Sequence, residues 1–310
     1  MKIVFLDRKT IGEDIDLDGF KKFGEVVTYD YSTVEEAAER TKDADIIVLN
    51  KVTVNESTIK DAKNLKLVCV TATGTNNLDK DYLALRGIEW RNVAGYSTEA
   101  VAQHTFTLAL NLLEHISYYD DYVKSEKYVN DRLFTHFEKT FCELSNKTWG
   151  IIGLGAIGQR VAEIAKCFGA NVVYYSTSGK NHNNEYKEVD FDTILKESDI
   201  LSIHAPLDEN TLHLINKEAL SKMKKSSILI NVGRGPIIVE KDLADALNND
   251  VIAAAGLDVL DVEPMTEENP LKNIKDSNKL LITPHIAWAA LEARTRLMKI
   301  IENQIEEFLK

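Results

Sequence analysis

TWGIIGLGAIGQRVAEIAKCFGANVVYYS, residues 148–176, predicts a strand, a glycine turn, a helix and a second strand in one continuous unit. The apolar run Trp149 to Ile152 is too short for a helix and leads directly into Gly153-Leu154-Gly155-Ala156-Ile157-Gly158, which matches the pattern G-x-G-x-x-G. In that pattern the first glycine makes a tight turn, the second lets the backbone approach a pyrophosphate, and the third lets the helix pack closely on the strand. The helix N-terminus would hold the diphosphate, because its unpaired N–H groups and positive dipole end favour an anion.

Three glycines alone would also fit an ordinary turn, and the flanking elements favour the dinucleotide site. Apolar residues recur at helical spacing over Ala156 to Phe168, Gly169 is placed for a C-cap, and Val172 to Tyr175 predicts the second strand. We therefore assign five residues to cofactor binding: Gly153, Gly155, Ala156, Ile157 and Gly158.

The residue after the second strand distinguishes NAD from NADP. An acidic residue about 20 positions beyond the glycines would bind the ribose 2′-hydroxyl and repel a 2′-phosphate. Ser176 stands there instead, followed by Thr177 and, after Ser178 and Gly179, by Lys180. Hydroxyls and a cation without a carboxylate tolerate or favour a 2′-phosphate, so we expect Ser176, Thr177 and Lys180 to bind the cofactor and NADPH to be favoured over NADH. A polar turn with a solvated lysine is the alternative interpretation.

Length, composition and charge restrict the class of protein. The 310 residues, 44% of them hydrophobic, suffice for two domains with sizeable cores. The formal net charge of −12 argues against a nucleic-acid or anionic-membrane partner, since either favours a basic surface. No apolar run reaches about 18 residues, and Met1 to Asp7 lacks the apolar core of a signal peptide, so we expect a cytoplasmic protein.

The three cysteines are odd in number and widely spaced, which argues against a disulfide framework. Cys69, Cys142 and Cys167 lie in apolar or amphipathic segments, so we interpret them as buried thiols of a reducing compartment. We assign neither a catalytic thiol nor a metal ligand.

The first hundred residues alternate strands and helices without a glycine fingerprint. The predicted strands are Lys2 to Leu6, Val26 to Tyr29, Ile46 to Leu49 and Leu67 to Thr71, and the predicted helices are Val34 to Thr41, Glu56 to Lys63 and Lys80 to Leu85. A hydroxyl-rich loop, residues 71–79, follows the last of these strands, where open sheets place ligands. The N–H groups of Thr73 and Gly74 are candidates to hold a carboxylate, with a simple capping turn as the alternative.

A long helix is predicted to begin at Thr98, with Glu99 in its first turn. His104 and His115 lie on it, and we interpret both as packed or surface histidines. The aromatic and charged stretch Tyr118 to Phe141 lacks clear periodicity. It is interpreted either as an arm that packs on a second subunit of a homodimer or as a solvated loop.

Beyond the fingerprint, four more predicted strands each end in polar groups. The strands are Ile200 to Ile203, Ile228 to Val232, Val251 to Leu257 and Leu280 to Thr283, and they are followed by His204-Ala205-Pro206, Gly233-Arg234-Gly235, Asp258 and Pro284-His285. A doubly wound sheet builds its site at these carboxyl ends. Glu263 lies in the loop after Asp258, and an amphipathic helix, roughly Ala289 to Leu309, is placed to return to the first domain.

Together these motifs resemble the D-isomer-specific 2-hydroxyacid dehydrogenases. The resemblance rests on the three glycines, on Asn231-Val232-Gly233-Arg234-Gly235, on Gly256-Leu257-Asp258-Val259 with Glu263-Pro264, and on Thr283-Pro284-His285, in that order over nearly the whole chain. The segments at 72–77, 95–98 and 284–288 look most like those of glycerate dehydrogenases and hydroxypyruvate or glyoxylate reductases. Ser176 departs from the family pattern, in which many members have aspartate.

The resemblance implies an α/β fold of two Rossmann-like, doubly wound parallel-sheet domains. The cofactor domain, residues 98–287, would be inserted into a discontinuous substrate domain formed by residues 1–97 and 288–310. The implied activity is NAD(P)H-dependent reduction of hydroxypyruvate or glyoxylate to the D-2-hydroxy acid. The alternatives are a lactate-type or phosphoglycerate-type dehydrogenase and a non-catalytic, corepressor-like dinucleotide sensor.

The chemistry gives three residues their roles. Arg234 suits the substrate anchor, because a guanidinium binds a carboxylate through two parallel hydrogen bonds. His285 suits the general acid and base, because an imidazole titrates near neutral pH. Glu263 would fix the tautomer of His285 and stabilise the imidazolium. Each residue singly also fits a structural role, and their joint placement behind strands of one sheet favours catalysis.

The remaining assignments concern residues expected to lie near the cofactor or the substrate. Asp258 is assigned to the nicotinamide carboxamide, whose N–H groups a carboxylate accepts. His204 is interpreted as structural or cofactor-adjacent, and Trp288 as a residue that closes over the substrate or packs in a core. The further cofactor-binding candidates are His204, Pro206, Val232 and Asp258, and the substrate-binding candidates are Lys51, Thr73, Gly74, Arg234 and Trp288.

Overall fold

Parallel strands joined by helices make up both halves of the chain in a computed structural model, which describes residues 1–180 and 182–310. In chain order the strands are β1 (Lys2–Phe5), β2 (Glu25–Thr28), β3 (Ile46–Leu49), β4 (Leu67–Val70), β5 (Glu89–Arg91), β6 (Thr148–Ile152), β7 (Asn171–Tyr175), β8 (Lys187–Glu188), β9 (Ile200–Ile203), β10 (Ile228–Asn231), β11 (Ala254–Leu257) and β12 (Leu280–Ile282). The α-helices are α1 (Val34–Arg40), α2 (Glu56–Ile59), α3 (Lys80–Leu85), α4 (Thr98–Glu114), α5 (Ile116–Lys124), α6 (Ala156–Cys167), α7 (Phe191–Glu197), α8 (Lys217–Lys222), α9 (Glu240–Asn248) and α10 (Leu291–Phe308).

The described residues divide into two units, residues 1–97 with 288–310 and residues 98–287. The first unit contains a five-stranded sheet in the order β2-β1-β3-β4-β5, with every pair parallel. All four residues of β3 and all four of β4 are buried. Parallel strands covered by helices on both faces need such continuous apolar runs, which explains why these two strands are recognisable in the sequence.

The last helix belongs to the first unit. α10 buries Ala293, Leu297, Met298, Ile301 and Ile305 along one face, at the spacing of an amphipathic helix. Its backbone is tied to the sheet, because the guanidinium of Arg91 on β5 donates from Nη1 to the carbonyl oxygen of Gln304 at 2.8 Å. The chain thus returns to the unit in which it began.

The second unit contains a seven-stranded sheet in the order β12-β11-β10-β9-β6-β7-β8, also parallel throughout. The fold class that the sequence predicts, two parallel-sheet α/β domains, is confirmed. Trp149 on β6 is fully buried and donates from Nε1 to the hydroxyl of Ser202 on the neighbouring β9 at 2.9 Å. The order brings the carboxyl ends of β10, β11 and β12 side by side at one edge of the sheet.

The interpretation of the cysteines as buried thiols is correct for Cys69 and wrong for the other two. Cys69 on β4 is fully buried, and burial raises the pKa of its thiol to about 12. Cys142 and Cys167 are exposed. Cys167 is the last residue of α6 and does not lie on the buried face of that helix. Cys142 lies in the irregular segment between α5 and β6.

The stretch without periodicity has more regular structure than its sequence indicates. α5 covers residues 116–124, although none of its residues is buried. Its apolar and aromatic side chains do recur at helical spacing, but the helix is short and a long irregular segment follows it, so the stretch as a whole shows no clear period. Within residues 1–180 and 182–310, no helix combines the length and apolar content that crossing a bilayer requires.

Candidate active site

The glycine turn has the geometry that its sequence predicts. Gly153 has φ of 90°, a left-handed value, and a Cβ there would lie 2.8 Å from the backbone of Ala205. A Cβ on Gly158 would collide with the carbonyl oxygen of Gly153. At Gly155 a Cβ would meet no atom within 4 Å. The first and third glycines are therefore needed for turn and packing, whereas the second leaves open space at the N-terminus of α6.

Beside this turn lies a cavity of about 220 Å³. Leu154, Gly155 and Gln159 line one part of it, and Lys180, His182 and Asn183 line the rest. Ser176, which follows β7, is 8% exposed, and its Oγ has no hydrogen-bond partner among the described residues. An unsatisfied buried hydroxyl at the end of β7, an open second glycine and a cavity with a lysine fit the ribose and phosphates of a dinucleotide.

Thr177 and Lys180 continue the chain from Ser176, Thr177 half-buried and Lys180 exposed. Ala156 and Ile157 form the first turn of α6. His182 and Gln159 were missed as candidates. Gln159 directly follows the fingerprint, and this position could have identified it. His182 has no such signal in the sequence, because its place beside the cavity depends on the tertiary structure.

His204 follows β9 and has one unsatisfied nitrogen. Its Nε2 lies 3.0 Å from the hydroxyl of Ser202, and its Nδ1 is buried without a partner among the described residues. Burial lowers the pKa of His204 to about 3, so its ring is neutral in the physiological range. Pro206 is exposed, and Val232 after β10 is half-buried and packs against an apolar core. These positions line the carboxyl edge of the sheet, and their cofactor contacts remain a prediction.

Asp258 organises the segment that carries His285. It is 1% exposed, and its Oδ1 accepts hydrogen bonds from the hydroxyl of Thr283 at 2.6 Å and the N–H of Ile286 at 2.9 Å. Its Oδ2 accepts from the N–H of Ala287 at 2.8 Å. In this structure Asp258 therefore holds the backbone of residues 283–287 in place. The predicted contact with a carboxamide would have to use the second lone pair of Oδ2.

His104 supports the same segment from α4. Its Nε2 lies 2.9 Å from the hydroxyl of Thr283 and 3.5 Å from Oδ1 of Asp258. This is the packed histidine that the helix pattern indicates. Thr283 joins His104 to Asp258, and no short motif in the sequence could have identified that connection.

His285 is held in a left-handed backbone conformation, with φ of 56°. A residue other than glycine in this region carries a strain of about 1 kcal/mol, which the bonds of Asp258 to the next two N–H groups help to offset. Nδ1 of His285 lies 2.7 Å from Oε2 of Glu263, and Oε1 of Glu263 accepts from the N–H of Leu260 at 2.9 Å. An ionised Glu263 requires the proton on Nδ1, so Nε2 is the nitrogen left for a substrate.

Arg234 follows β10 and is half-buried. Its Nη1 donates to the carbonyl oxygen of Gly233 at 2.7 Å, and its own carbonyl accepts from the amide of Asn231 at 2.9 Å. In the described part of the chain, no carboxylate lies within 4.0 Å of its guanidinium. Because charged side chains away from full solvent normally have a partner, an unpaired guanidinium here indicates an anionic ligand.

The structure places Arg234, Glu263 and His285 behind β10, β11 and β12, which are neighbours in one sheet. It brings Glu263 and His285 into direct contact. The arrangement therefore offers a cation for a carboxylate and an oriented imidazole for proton transfer at one edge.

The other substrate-binding candidates lie in the first unit. Lys51 is exposed after β3, and the ring of Trp288 packs edge-on to that of Tyr96, with centroids 6.3 Å apart. Thr73 and Gly74 lie in the loop after β4. Among residues 1–180 and 182–310, the backbone N–H groups of residues 73–76 meet no acceptor. Such a row of unpaired N–H groups is suited to an anion.

Comparison with known proteins identifies the family. Residues 106–287 match the model of the D-isomer-specific 2-hydroxyacid dehydrogenase NAD-binding domain. A hydroxypyruvate reductase of Blautia hydrogenotrophica is 38% identical over 100% of this chain and 97% of its own length. A glycerate dehydrogenase of Methylorubrum extorquens is 35% identical over 99% of this chain and 96% of its own length.

Two solved structures of proteins with bound cofactors share the fold. An acyclic imino acid reductase in complex with NADPH and D-Arg is 30% identical with a TM-score of 0.87, covering 100% of this chain and 97% of that one. A D-lactate dehydrogenase of Aquifex aeolicus with NAD and lactic acid is 26% identical with a TM-score of 0.86, covering 99% and 95%.

Proposed function

The chain belongs to the D-isomer-specific 2-hydroxyacid dehydrogenases, enzymes that use a nicotinamide cofactor, and on this premise we propose that it reduces hydroxypyruvate or glyoxylate to the D-2-hydroxy acid. The half-buried Arg234, which has no carboxylate partner within the described residues, is the observation that carries the proposal. Relatives named hydroxypyruvate reductase, glycerate dehydrogenase and glyoxylate reductase support the choice of substrate.

In this reaction the reduced nicotinamide would supply the hydride, and the protein residues would bind the substrate and transfer the proton. Arg234 binds the substrate carboxylate with two parallel hydrogen bonds and so fixes which face of the keto carbon is presented. Nε2 of His285 donates a proton to the keto oxygen. Glu263 holds Nδ1 at 2.7 Å and stabilises the imidazolium before this transfer. In the direction of oxidation the same imidazole accepts the proton.

The substrate is tested by comparing kcat/KM for hydroxypyruvate, glyoxylate, pyruvate and phosphohydroxypyruvate with each reduced cofactor. We expect one of the first two to have the highest value. A clear preference for pyruvate or the phosphorylated acid would replace the proposed substrate by a lactate-type or phosphoglycerate-type one. No turnover with any small keto acid would contradict the proposed reaction itself.

Glu263→Gln is expected to lower kcat for reduction by less than about 10²-fold, the smallest loss expected when the acid itself is removed. The carboxylate can only accept at Nδ1 of His285, whereas a glutamine amide can present either its oxygen or its N–H to this nitrogen. The ring is then held less uniquely with Nε2 available for the substrate.

The measurement is kcat at saturating substrate and cofactor for the wild type, Glu263→Gln and Glu267→Gln. Glu267 is a control carboxylate on the same loop, with a side chain 89% exposed. Glu267→Gln should keep the wild-type kcat. A kcat of Glu263→Gln equal to that of Glu267→Gln would show that the pair does not orient the catalytic imidazole.

We also propose that the cofactor site accepts NADPH at least as well as NADH. Ser176 presents no negative charge, and Lys180 and His182 line the neighbouring cavity. Ser176→Asp should therefore favour NADH over NADPH by at least about tenfold, because like charges brought together cost several kcal/mol. Lys180→Ala should weaken NADPH by up to about fivefold, the range of an exposed ion pair, and leave NADH unchanged.

Quenching of intrinsic fluorescence gives the dissociation constants of both cofactors. Lys187→Ala is the matched control, since Lys187 is also exposed and lies outside the cavity lining. If wild type binds NADH far more tightly than NADPH, and Ser176→Asp leaves the ratio unchanged, the proposed NADPH acceptance is wrong.

A homodimer is proposed from the apolar surface of the segment 129–141. Its exposed side chains are Val129 at 79%, Leu133 at 64%, Phe134 at 90%, Phe137 at 80% and Phe141 at 54%. Apolar groups concentrated in this way mark interaction surfaces, and a second copy of the chain is the proposed partner.

Sedimentation should give twice the chain mass of 34.8 kDa. Phe134→Asp combined with Phe137→Asp should yield a monomer. Leu85→Asp, which changes an 81% exposed leucine on α3, should leave the dimer intact. A wild-type mass equal to one chain at micromolar concentration would contradict the proposal.

A further inference from the structure

A buried carboxylate ties two strand ends together in the first unit. Asp7 follows β1 and is 5% exposed. Its Oδ1 accepts from the N–H of Asn50 at 2.8 Å, and its Oδ2 accepts from the N–H groups of Lys51 at 2.7 Å and Val52 at 3.3 Å. Three successive N–H groups after β3 thus close around one side chain, in the manner of a backbone anion nest.

A carboxamide continues the connection to the next strand end. Nδ2 of Asn77 donates to the carbonyl oxygen of Val52 at 2.8 Å and of Asn50 at 3.3 Å. The backbone carbonyl of Asn77 accepts from the N–H of Val54 at 2.8 Å. The segment after β3 is therefore held on one side by Asp7 and on the other by the loop after β4.

The loop that Asn77 closes is the one with unpaired N–H groups at residues 73–76. Its backbone is fixed at the other end, because the hydroxyl of Thr73 donates to the carbonyl oxygen of Val93 at 2.9 Å and its carbonyl accepts from Nδ2 of Asn92 at 2.7 Å. Side-chain donors thus pair with backbone carbonyls around this loop, whereas the N–H groups of residues 73–76 have no acceptor among the described residues. The N–H groups of residues 50–52 cannot serve a substrate, because Asp7 already binds them.

We propose that Asp7 and Asn77 are positioning residues that lock residues 50–52 to the loop 73–77, so that the unpaired N–H groups of this loop present a preformed seat for the substrate carboxylate. The inference rests on the proposed reduction of a keto acid. Neither residue touches the substrate: the oxygens of Asp7 are buried and engaged, and the amide of Asn77 is spent on two carbonyls.

Preorganisation predicts an effect on KM rather than on kcat. A seat that the substrate itself has to order uses up part of the binding energy, so the affinity falls while the chemistry of the bound complex is unchanged. Asp7→Asn places an amide N–H against backbone N–H groups. Asn77→Asp places a carboxylate against the carbonyls of Asn50 and Val52. Both variants should raise KM for hydroxypyruvate by about 10- to 100-fold and leave kcat and the dissociation constant of the cofactor within about threefold.

The control is Thr41→Val, which removes a buried hydrogen bond of the same unit elsewhere. Thr41 caps α1, is fully buried and donates to the carbonyl oxygen of Thr58 at 2.8 Å. Its loss should lower Tm without changing KM. Hydrogen exchange gives a second readout: the amides of residues 50–52 should exchange faster in both positioning variants and at the wild-type rate in Thr41→Val.

The outcomes are distinct. A raised KM with faster exchange at residues 50–52 supports the inference, and Asn77→Asp, at a half-buried site, carries the test if Asp7→Asn does not fold. Variants that lose Tm like Thr41→Val but keep the wild-type KM would reduce Asp7 and Asn77 to structural residues and overturn it. A KM and a cofactor affinity that weaken together would also overturn it. If the wild type reduces no keto acid, the proposed function fails first, and that result is separate from any variant.

Discussion

His285→Asn is expected to lower kcat for hydroxypyruvate reduction by about 10²- to 10⁴-fold, the usual contribution of a positioned general acid. Asparagine is chosen because it tolerates the left-handed backbone, whereas alanine would add strain at φ of 56°. The change removes the proton donor and keeps the bonds of Asp258 to Ile286 and Ala287, which come from backbone N–H groups. Cofactor affinity should stay within about twofold, since loss of the acid acts on the chemical step.

The matched control is His213→Asn. His213 also has a left-handed backbone, with φ of 54°, is exposed, and lies in a turn outside the site. His182 would be a poor control, because it lines the cavity beside the glycine turn. If His285→Asn kept kcat within tenfold of His213→Asn, another group would have to supply the proton, and the assignment of His285 would be wrong.

Arg234→Lys should lower kcat/KM for the keto acid by about 10²- to 10³-fold, although the positive charge is kept. Breaking a buried, hydrogen-bonded charge pair costs about 2–5 kcal/mol. Lysine offers a point charge in place of a planar fork, so the two parallel bonds to the carboxylate cannot form. The half-buried position, without a carboxylate partner in the described chain, leaves the substrate as the group that pairs with this residue.

Arg40→Lys provides the comparison, since Arg40 on α1 forms a surface ion pair with Glu36 at 3.1 Å. It should be kinetically silent. Arg234→Ala offers a second test, because free guanidinium added to the assay should restore part of the lost rate. A wild-type kcat/KM in Arg234→Lys, or no rescue of Arg234→Ala at any guanidinium concentration that leaves the wild type active, would argue against a bidentate anchor.

Sequence patterns identify the parts of this fold that local chemistry decides. The strand bounds Ile46–Leu49 and Ile200–Ile203 are predicted to the residue, because strands buried on both faces must be wholly apolar. β8, Lys187–Glu188, has two exposed charged residues at the edge of the sheet and leaves no such signal. α5 is missed for a different reason, because its nine amphipathic residues are followed by a long irregular segment that obscures the helical period.

The candidate site likewise has residues that sequence patterns indicate and residues that they do not. Arg234 and His285 can be proposed from the sequence because polar residues directly after apolar strands mark the carboxyl edge of a parallel sheet. The roles of Asp7, Asn77 and Thr283 depend on contacts between residues 25 to 45 positions apart, as in Asp7 with Val52 or Thr283 with Asp258. No spacing rule encodes such pairs, and the left-handed conformation of His285 likewise follows from tertiary bonds.

A crystal structure of the non-reacting complex with oxidised cofactor and hydroxypyruvate would test the central claim most directly. We predict that both terminal nitrogens of Arg234 lie within hydrogen-bond distance of the substrate carboxylate. Nε2 of His285 should lie within about 3.2 Å of the keto oxygen, with Nδ1 still on Glu263. A bound keto acid that contacts only one of these side chains, with the other directed into a different cavity, would contradict the account.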